Sequence, residues 1–393
     1  MPPLDGRRLW LVGVGGAGMS GYALLADAWG AEVGGWDRVR TPYLEHLPDD
    51  VRVEISAEPP QPPDGFEVYV STAFADGVQG SSRAELLAEL VSLRKSIVVA
   101  GAHGKTTTSA MVAYALRELG DDPAWLIGGD VPQLGANAGA GEGWLVVEGD
   151  ESDRTIERLR PTIAVVTNVD LDHHSTFASR AEVEELFARW LADVPHVVRG
   201  DDLEPYDAEL AVVGDHNRRN AAAARAALEH AGFARADVGR ALSKFRGAAR
   251  RLETRGTVNG VEVVDDYAHH PAEIEATLDA VRDGGRVLVL FQPHLVSRTR
   301  HLARELARAL ARADAVAVAD VYAAREQPVD TVTGKLVVDA LAELRPGMPL
   351  AWTPDAEDGA RFLAARARSG DRLVVLGAGD VDRVVPLLLR EPT

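Results

Sequence analysis

The chain has 393 residues and a formal net charge of −18 at neutral pH, with 46% hydrophobic and 26% charged residues. This length is too great for one ordinary hydrophobic core, so we expect a globular protein of two or three domains. The negative charge argues against a nucleic-acid partner, because phosphate backbones are bound by clustered Lys and Arg, while the absence of cysteine excludes disulfides and thiolate catalysis and fits the cytoplasm.

The N-terminal region is predicted to begin with a strand, a glycine-rich turn and a helix. The strand covers residues 9–14, the helix runs to about residue 29, and a second strand over residues 31–37 ends in Asp37. In such a βαβ unit the turn and the helix N-terminus hold a diphosphate, and Asp37 faces a ribose or a neighbouring group. The candidate turn residues are Gly13, Gly15, Gly16, Ala17 and Gly18. NAD, a nucleotide-sugar and a closely packed corner without ligand all fit this pattern.

A third strand is predicted over residues 68–71, after a proline-rich connection. Ser71 and Thr72 stand at its carboxyl end, where ligands of open α/β sheets bind. A simple turn explains the same two residues equally well.

A second glycine turn follows an apolar, β-branched run over residues 97–99, which predicts a buried strand. Residues 106–116 predict an amphipathic helix that begins at the turn, and the unpaired N–H groups of a helix N-terminus favour an anion. The residues expected to hold a phosphate and its magnesium ion are Gly101, His103, Gly104, Lys105, Thr106 and Thr107.

The composition strengthens this phosphate-site prediction, since the chain holds few lysines among its 42 basic residues and one of them is Lys105. The strict P-loop pattern fails, however, because Val99 stands where that pattern requires glycine. A plain strand–turn–helix corner therefore remains the alternative.

Acidic residues follow the next predicted strand, at 145–147, in the sequence Glu148-Gly149-Asp150-Glu151-Ser152-Asp153. Such a run is commonly a solvated loop. Its place at the carboxyl end of a strand favours a magnesium site instead, with Glu148 best placed to supply an oxygen ligand. A further strand over residues 163–167 leads to His173, which is either a metal ligand or an ordinary polar residue.

Two asparagines, Asn217 and Asn220, precede an alanine-rich helix predicted over residues 221–231. Their composition is typical of a helix cap. The alternative is that their carboxamides clamp an adenine.

The C-terminal region contains four predicted strands, each of which stops at a polar cluster. The strands cover residues 261–264, 287–291, 315–319 and 373–376. Helical segments such as 301–312 lie between them, which predicts a doubly wound domain with its polar loops at one edge. The clusters contain Asp266, His270, His294 and Arg298.

Taken together, these segments resemble the Mur ligases of peptidoglycan synthesis, and within them the branch that adds alanine. The resemblance runs nearly from end to end and rests on GVGGAGMSG, GAHGKTTT, GDESD, TNVDLDHH, HNRRN, FRGAARRLE, DDYAHHP, FQPHLVSRTR, DVYAARE and GAGD. It implies an α/β protein of three domains: a Rossmann-like UDP-sugar domain (1–96), a P-loop ATPase domain (97–247) and a doubly wound, Rossmann-like amino-acid domain (248–393).

The resemblance also implies a reaction, in which MgATP phosphorylates the carboxylate of UDP-N-acetylmuramate and the amine of L-alanine attacks the acyl phosphate. Carried across, Lys105 holds phosphates, Thr106 and Glu148 hold magnesium, and His173 holds a second metal or the acyl phosphate. Asn217, Asn220 and Asp266 position the nucleotide, Arg251 meets the γ-phosphate, and His270, His294 and Arg298 meet the substrates. The Gly15–Gly18 turn, Asp37, Ser71 and Thr72 would bind the UDP-sugar. The expected protein is a monomer or homodimer without nucleic-acid or membrane partners, and no apolar run reaches the ~18 residues of a membrane span.

The chain departs from the family pattern in three places. The family's Asp-His-Leu-Asp is Asp172-His173-His174-Ser175 here, Leu295 replaces an arginine expected after His294, and the connection from His173 to His216 is short. Rival functions are a ligase that recycles a whole tripeptide onto the same UDP-sugar, a nucleotide-binding protein without turnover, and an NAD-linked oxidoreductase that uses the first glycine turn.

Overall fold

The structure is a computed structural model that describes residues 1–171, 176–324 and 326–390. The chain forms two compact units. The first contains Met1–Asp170, Ser179–Val212 and Asn217–Ala248, and the second contains Val213–His216 and the residues from Ala249 onward. Three sheets are present, two in the first unit and one in the second, and this confirms the predicted α/β class.

The N-terminal sheet has five parallel strands in the order β3-β2-β1-β4-β5. The strands are β1 (Arg8–Val12), β2 (Glu32–Asp37), β3 (Arg52–Ile55), β4 (Glu67–Val70) and β5 (Ser81–Ser82), with helices α1 (Ala17–Ala28) and α2 (Arg83–Ser92). The glycine turn connects β1 to α1, as the βαβ pattern predicts. The strands β3 and β5 were not predicted because they have no apolar run.

The central sheet has six strands in the order β11-β10-β6-β9-β7-β8, and only its β7–β8 pair is antiparallel. The strands are β6 (Ser96–Ala100), β7 (Ala124–Leu126), β8 (Ala138–Gly139), β9 (Leu145–Glu148), β10 (Ile163–Val166) and β11 (His196–Arg199). The helices are α3 (Lys105–Glu118), α4 (Arg180–Leu191), α5 (Asp215–His230) and α6 (Arg235–Leu242).

Helix α3 differs from its prediction, since it is not amphipathic. Every residue from Thr106 to Leu116 is buried, which is the pattern of a helix enclosed on all sides. The four hydroxyl-bearing residues at 106–109 explain the misreading, because such residues suggest an exposed face and yet these pack inside the core.

The C-terminal sheet has six strands in the order β12-β13-β17-β14-β15-β16. The strands are β12 (Glu253–Val258), β13 (Val261–Asp266), β14 (Val287–Phe291), β15 (Ala315–Val318), β16 (Leu350–Trp352) and β17 (Arg372–Leu376). The helices are α7 (Pro271–Val281), α8 (Val296–Leu310), α9 (Lys335–Leu344), α10 (Ala356–Ala364) and α11 (Val385–Leu388). The edge strands β12 and β16 were not predicted.

Alternate residues of β14 enter two different hydrophobic cores, which confirms the doubly wound arrangement. Val289 and Phe291 pack in one core, and Leu288 and Leu290 in the other. A strand buried on both faces reads as a continuous apolar run, which is why β14 was found from the sequence. The exact bounds of the three domains stay a prediction.

None of the helices in the described part of the chain is long and apolar enough to cross a membrane.

Asp265, at the end of β13, gives a prediction about stability and pH. Its side chain is fully buried between Arg250 (3.4 Å) and Arg255 (3.2 Å). Burial raises the pKa of Asp265 from 3.8 to about 6, although both arginines act in the opposite direction. Between these two pH values the folded chain keeps a proton that the unfolded chain has lost, so stability falls as the pH rises, by up to about 3 kcal/mol for this group.

We therefore expect Asp265→Asn to lose stability less steeply than wild type between pH 4 and pH 6.5. Urea unfolding at several pH values measures this difference. Parallel stability curves for the two proteins would contradict the assignment.

Candidate active site

The second glycine turn adopts the conformation that a phosphate cradle needs. Gly101 and Gly104 have φ values of +130° and +83°, and residues other than glycine rarely adopt such values. A Cβ atom added to Gly104 would overlap Asn220 Oδ1, and one added to Gly101 would overlap Thr167 Oγ1. The turn therefore depends on glycine at both positions, and it leads directly into α3.

The motif after β10 fixes this turn from one side. Asn168 Oδ1 accepts a hydrogen bond from the His103 N–H (2.9 Å), and Asn168 Nδ2 donates to the His103 carbonyl oxygen (2.9 Å). Thr167 Oγ1 donates to the same oxygen at 2.7 Å. Sequence analysis assigned no role to Asn168 or Thr167, which hold the loop in shape.

Gly104→Ala is expected to raise the KM for ATP by at least about 10-fold, because the added methyl group displaces Asn220 and deforms the loop. Strain at positive φ adds about 1–2 kcal/mol of destabilisation. Gly120→Ala is the matched control, since Gly120 follows the other end of α3 with φ +84° and a Cβ there meets nothing within 4 Å. The control shares the backbone strain, so an equal rise in KM in both variants would refute a specific role for Gly104.

Lys105 is largely buried at the start of α3, and its side chain folds back over the turn. Its Nζ donates to Glu151 Oε1 (2.9 Å), to the Gly101 carbonyl oxygen (2.6 Å) and to the Ala102 carbonyl oxygen (3.3 Å). Burial acts to lower the pKa of Lys105, but Glu151 and Asp150 outweigh it and the pKa is raised. The lysine is therefore a fixed positive charge at the loop, as a phosphate-binding residue requires.

Glu151 is the partner that sequence analysis missed. Its side chain is only 3% exposed, whereas a run of acids in a sequence suggests a solvated loop. The available signal was the lone lysine of the glycine turn, because a buried ammonium group requires a carboxylate close by.

Thr106 and Glu148 are brought together, as predicted. Thr106 Oγ1 donates to Glu148 Oε1 at 3.0 Å, and the Gly128 N–H donates to Glu148 Oε2 at 2.6 Å. A carboxylate and a hydroxyl beside a phosphate cradle are the hard oxygen donors that magnesium prefers, with phosphate oxygens and water completing its shell. The residues present therefore fit magnesium. The third predicted ligand, His173, lies outside the described residues, and no group of three or more His and acidic side chains suited to a metal occurs among those that are described.

The two asparagines lie inside α5 and do not cap it, which corrects the predicted start of this helix at residue 221. Both are buried, and Asn220 Nδ2 donates to Asn217 Oδ1 at 3.3 Å. Since Asn220 lies against Gly104, the pair belongs to the surroundings of the phosphate loop. Thr107, the remaining loop residue, is buried in the first turn of α3. A role of Asn217 and Asn220 toward adenine stays a prediction.

The first glycine turn is held by Asp37. Its Oδ2 accepts from the Gly15 N–H (2.8 Å), and its Oδ1 accepts from the Arg38 N–H (2.7 Å). Ser71 packs against the turn, because a Cβ added to Gly13 would lie 2.8 Å from Ser71 Cβ. The amides of Ala17, Gly18 and Met19 begin α1 and have no acceptor one turn earlier within the helix. The structure thus brings this turn, Asp37 and Ser71 together, with Thr72 beginning the short helical turn that follows Ser71.

In the second unit, the polar residues after β13 form a compact corner. Asp266 Oδ2 accepts from the Leu252 N–H (2.6 Å) and Oδ1 from the Ala268 N–H (2.8 Å). Burial raises the pKa of Asp266, against the effect of nearby Arg251. The Arg251 guanidinium lies over the Tyr267 ring, 5.0 Å from its centroid. Asp266 shapes the backbone here, and its predicted contact with nucleotide is not tested by these bonds.

The remaining predicted substrate residues follow the same edge of the C-terminal sheet. His270 is buried at the N-terminus of α7. Arg298 Nη1 lies 3.3 Å from His294 Nδ1, and the His294 ring stacks on Tyr322 at 5.9 Å between centroids. Arg298 is in the first turn of α8, which begins five residues before the predicted helix, and it is only 4% exposed. Leu295, at the departure from the family pattern, has φ +70°, a strained value for a branched side chain.

Models of known protein families match two segments of the chain. The model of the Mur ligase middle domain matches residues 99–202, and the model of the Mur ligase glutamate ligase domain matches residues 250–379. The chain belongs to the Mur ligase family.

Two relatives of this chain carry the same name. The chain is 38% identical to the UDP-N-acetylmuramate–L-alanine ligase of Rubrobacter xylanophilus, over 97% of this chain and 99% of that one. It is 41% identical to the protein of the same name from Kineococcus radiotolerans, over 97% and 95% of the two chains. Among solved structures, UDP-N-acetylmuramate-alanine ligase from Thermotoga maritima matches with a TM-score of 0.78 and 25% identity, over 97% of this chain and 98% of that one.

The alignment with the Rubrobacter protein runs over 443 positions, so that relative has residues without a counterpart in this 393-residue chain. The short connection from His173 to His216 is in line with this difference in length.

Proposed function

We propose that this chain is an ATP-dependent, ADP-forming ligase that joins the carboxylate of UDP-N-acetylmuramate to the amine of L-alanine in peptidoglycan precursor synthesis. The observation that carries the proposal is its similarity, at 38% and 41% identity over nearly the whole length, to two ligases of that name. A phosphate loop beside a carboxylate–hydroxyl pair in the first unit supplies the matching chemistry.

The reaction needs two bond changes at the sugar acid. A carboxylate is a poor electrophile, so a carboxylate oxygen first takes the γ-phosphoryl group of ATP, which yields an acyl phosphate and ADP. The alanine nitrogen then bonds to the acyl carbon, the carbon–oxygen bond to phosphate breaks, and the ammonium proton is lost. Both steps spread negative charge over phosphate oxygens, which cations placed in advance stabilise.

In the first unit, Lys105 is the residue that would stabilise this negative charge on the phosphate oxygens. In the described structure its ammonium group bonds to Glu151 and to loop carbonyl oxygens, so we propose that phosphate oxygens take over part of this bonding. Thr106 and Glu148 would hold a magnesium ion, whose charge neutralises the phosphates. Arg251 is assigned to the γ-phosphate, and His270, His294 and Arg298 to the substrates, by family resemblance.

Phosphate release from ATP tests the function directly. The protein is supplied with UDP-N-acetylmuramate and, in separate reactions, with L-alanine, glycine, L-serine or the tripeptide L-alanyl-γ-D-glutamyl-meso-diaminopimelate. Release that is fastest with L-alanine supports the proposal. Release with the tripeptide alone would identify a recycling ligase, and the absence of release in every reaction would identify a binding protein without turnover.

The proposal places the activity in the cytoplasm, where ATP and UDP-sugars are found. We further propose a monomer or homodimer, which light scattering at several protein concentrations would measure.

A further inference from the structure

A partly buried arginine lies beside the first glycine turn and was not among the predicted site residues. Arg83 is the first residue of α2, and its Nη1 lies 3.6 Å from where a Cβ would stand on Gly18, in the first turn of α1. The Tyr22 hydroxyl, one helical turn further along α1, lies 3.8 Å from the same Cβ position. A cation is thus placed next to a helix N-terminus whose amides have no partner within the helix.

The partners of Arg83 leave part of its hydrogen-bonding capacity unused. Nη2 donates to Asp153 Oδ2 at 2.5 Å, and the side chain of Arg83 is 21% exposed. Its Nε is buried and has no hydrogen-bond partner in the described part of the chain. A guanidinium group carries five N–H donors in a planar fork that suits phosphate oxygens, and Nη1 is the nitrogen of Arg83 that lies near the turn.

The neighbouring glycine turn needs such a cation. The Gly15 N–H, one of the amides in the turn, is already bonded to Asp37 and is not available to a ligand. A diphosphate brings about two negative charges, and the chain as a whole has a net charge of −18. Helix N-termini offer only partial charge, so a full positive charge at the turn would decide whether the diphosphate is held.

We propose that Arg83 binds the diphosphate of the UDP-sugar, exchanging the Asp153 carboxylate for phosphate oxygens when the substrate arrives. This inference rests on the proposed function and names one more residue for its substrate site. While no substrate is bound, the Asp153 carboxylate neutralises the charge of the partly buried guanidinium group.

The alternative is that the Arg83–Asp153 ion pair has only a structural role, in which it holds α2 against the acidic segment after β9. Two substitutions separate the two roles, because either one breaks the pair. If the pair has only this structural role, Arg83→Gln and Asp153→Asn should have the same effect on ligand binding. If Arg83 holds the diphosphate, only its loss should weaken binding.

The experiment measures the affinity of the full chain for UDP by isothermal titration calorimetry. We expect Arg83→Gln to bind UDP at least 10-fold more weakly than wild type, and Asp153→Asn to bind within 3-fold of wild type or more tightly. Arg158→Gln is the control for lost positive charge, since Arg158 is exposed and pairs with Glu85 at 3.6 Å, and it should bind as wild type. If Arg83→Gln does not fold, Arg83→Lys keeps the charge without the fork and should weaken UDP binding at least 3-fold.

Equal weakening in the Arg83 and Asp153 variants, or unchanged affinity in the Arg83 variants, would overturn the inference. The KM for ATP should change less than 2-fold in Arg83→Gln, and a parallel rise would also count against a diphosphate contact. Failure of the proposed function looks different: wild type would then release no phosphate with UDP-N-acetylmuramate and L-alanine, whatever the Arg83 variants bind.

Discussion

Lys105→Met is expected to reduce phosphate release from ATP by about 1,000-fold or more, while UDP binding persists. The ammonium group is the positive charge placed in the phosphate loop, and preorganised charge of this kind contributes several kcal/mol to phosphoryl transfer. Methionine retains the length and apolar stem of the side chain. A steady-state assay of phosphate release with both substrates present measures the effect.

Loss of Lys105 also removes one partner of its ion pair with Glu151, whose side chain is only 3% exposed, and this costs about 3–5 kcal/mol in stability. The double variant Lys105→Met/Glu151→Gln removes this penalty and should fold while remaining inactive. Lys244→Met is the matched control, because Lys244 pairs with Glu118 and its side chain is 64% exposed. Turnover at the wild-type rate in a folded Lys105 variant would exclude the assigned role.

Glu148→Gln is expected to lower turnover by on the order of 100-fold to 1,000-fold and to raise the magnesium concentration needed for half-maximal rate. The amide has the size of the carboxylate but no charge, so it is a poor ligand for a hard cation. One of its oxygen positions would also become an NH₂ group facing either the Thr106 hydroxyl or the Gly128 N–H. Rates measured over a magnesium titration give both quantities.

Glu142→Gln provides the control for Glu148→Gln, since Glu142 pairs with Arg94 and its side chain is 76% exposed. It should retain the wild-type rate and magnesium response. A Glu148 variant whose magnesium dependence is unchanged would show that the ion, if bound, is held by other residues.

Sequence alone predicted those parts of the fold in which local pattern and tertiary structure agree. The strands β1, β6, β10 and β14 are buried on both faces and therefore appear as short apolar runs. Strands such as β12, with exposed Thr and Arg residues, are set by hydrogen bonding to a neighbour, and no periodic pattern marks them.

The residues of the candidate site likewise include some that the sequence predicted and some that it did not. Glycine turns and the Thr106–Glu148 pair could be predicted, because their chemistry is carried by residues close to strand ends. Glu151, Asn168 and Arg83 were not assigned roles, because no known motif links them to their partners, which lie 46, 65 and 70 residues away in sequence. Such pairings arise from chain packing, which a linear pattern does not record.

The burial of α3 on all sides limits how the phosphate loop of this ligase can change during evolution. A helix packed on every side from Thr106 to Leu116 gives the loop at its start little freedom to shift, since any displacement would disturb tightly filled volume. A rigid anchor loses little entropy when it takes up triphosphate. The family resemblance assigns the amino acid to the second unit, so we propose that tolerance for new amino-acid partners evolves there, with the phosphate loop left unchanged.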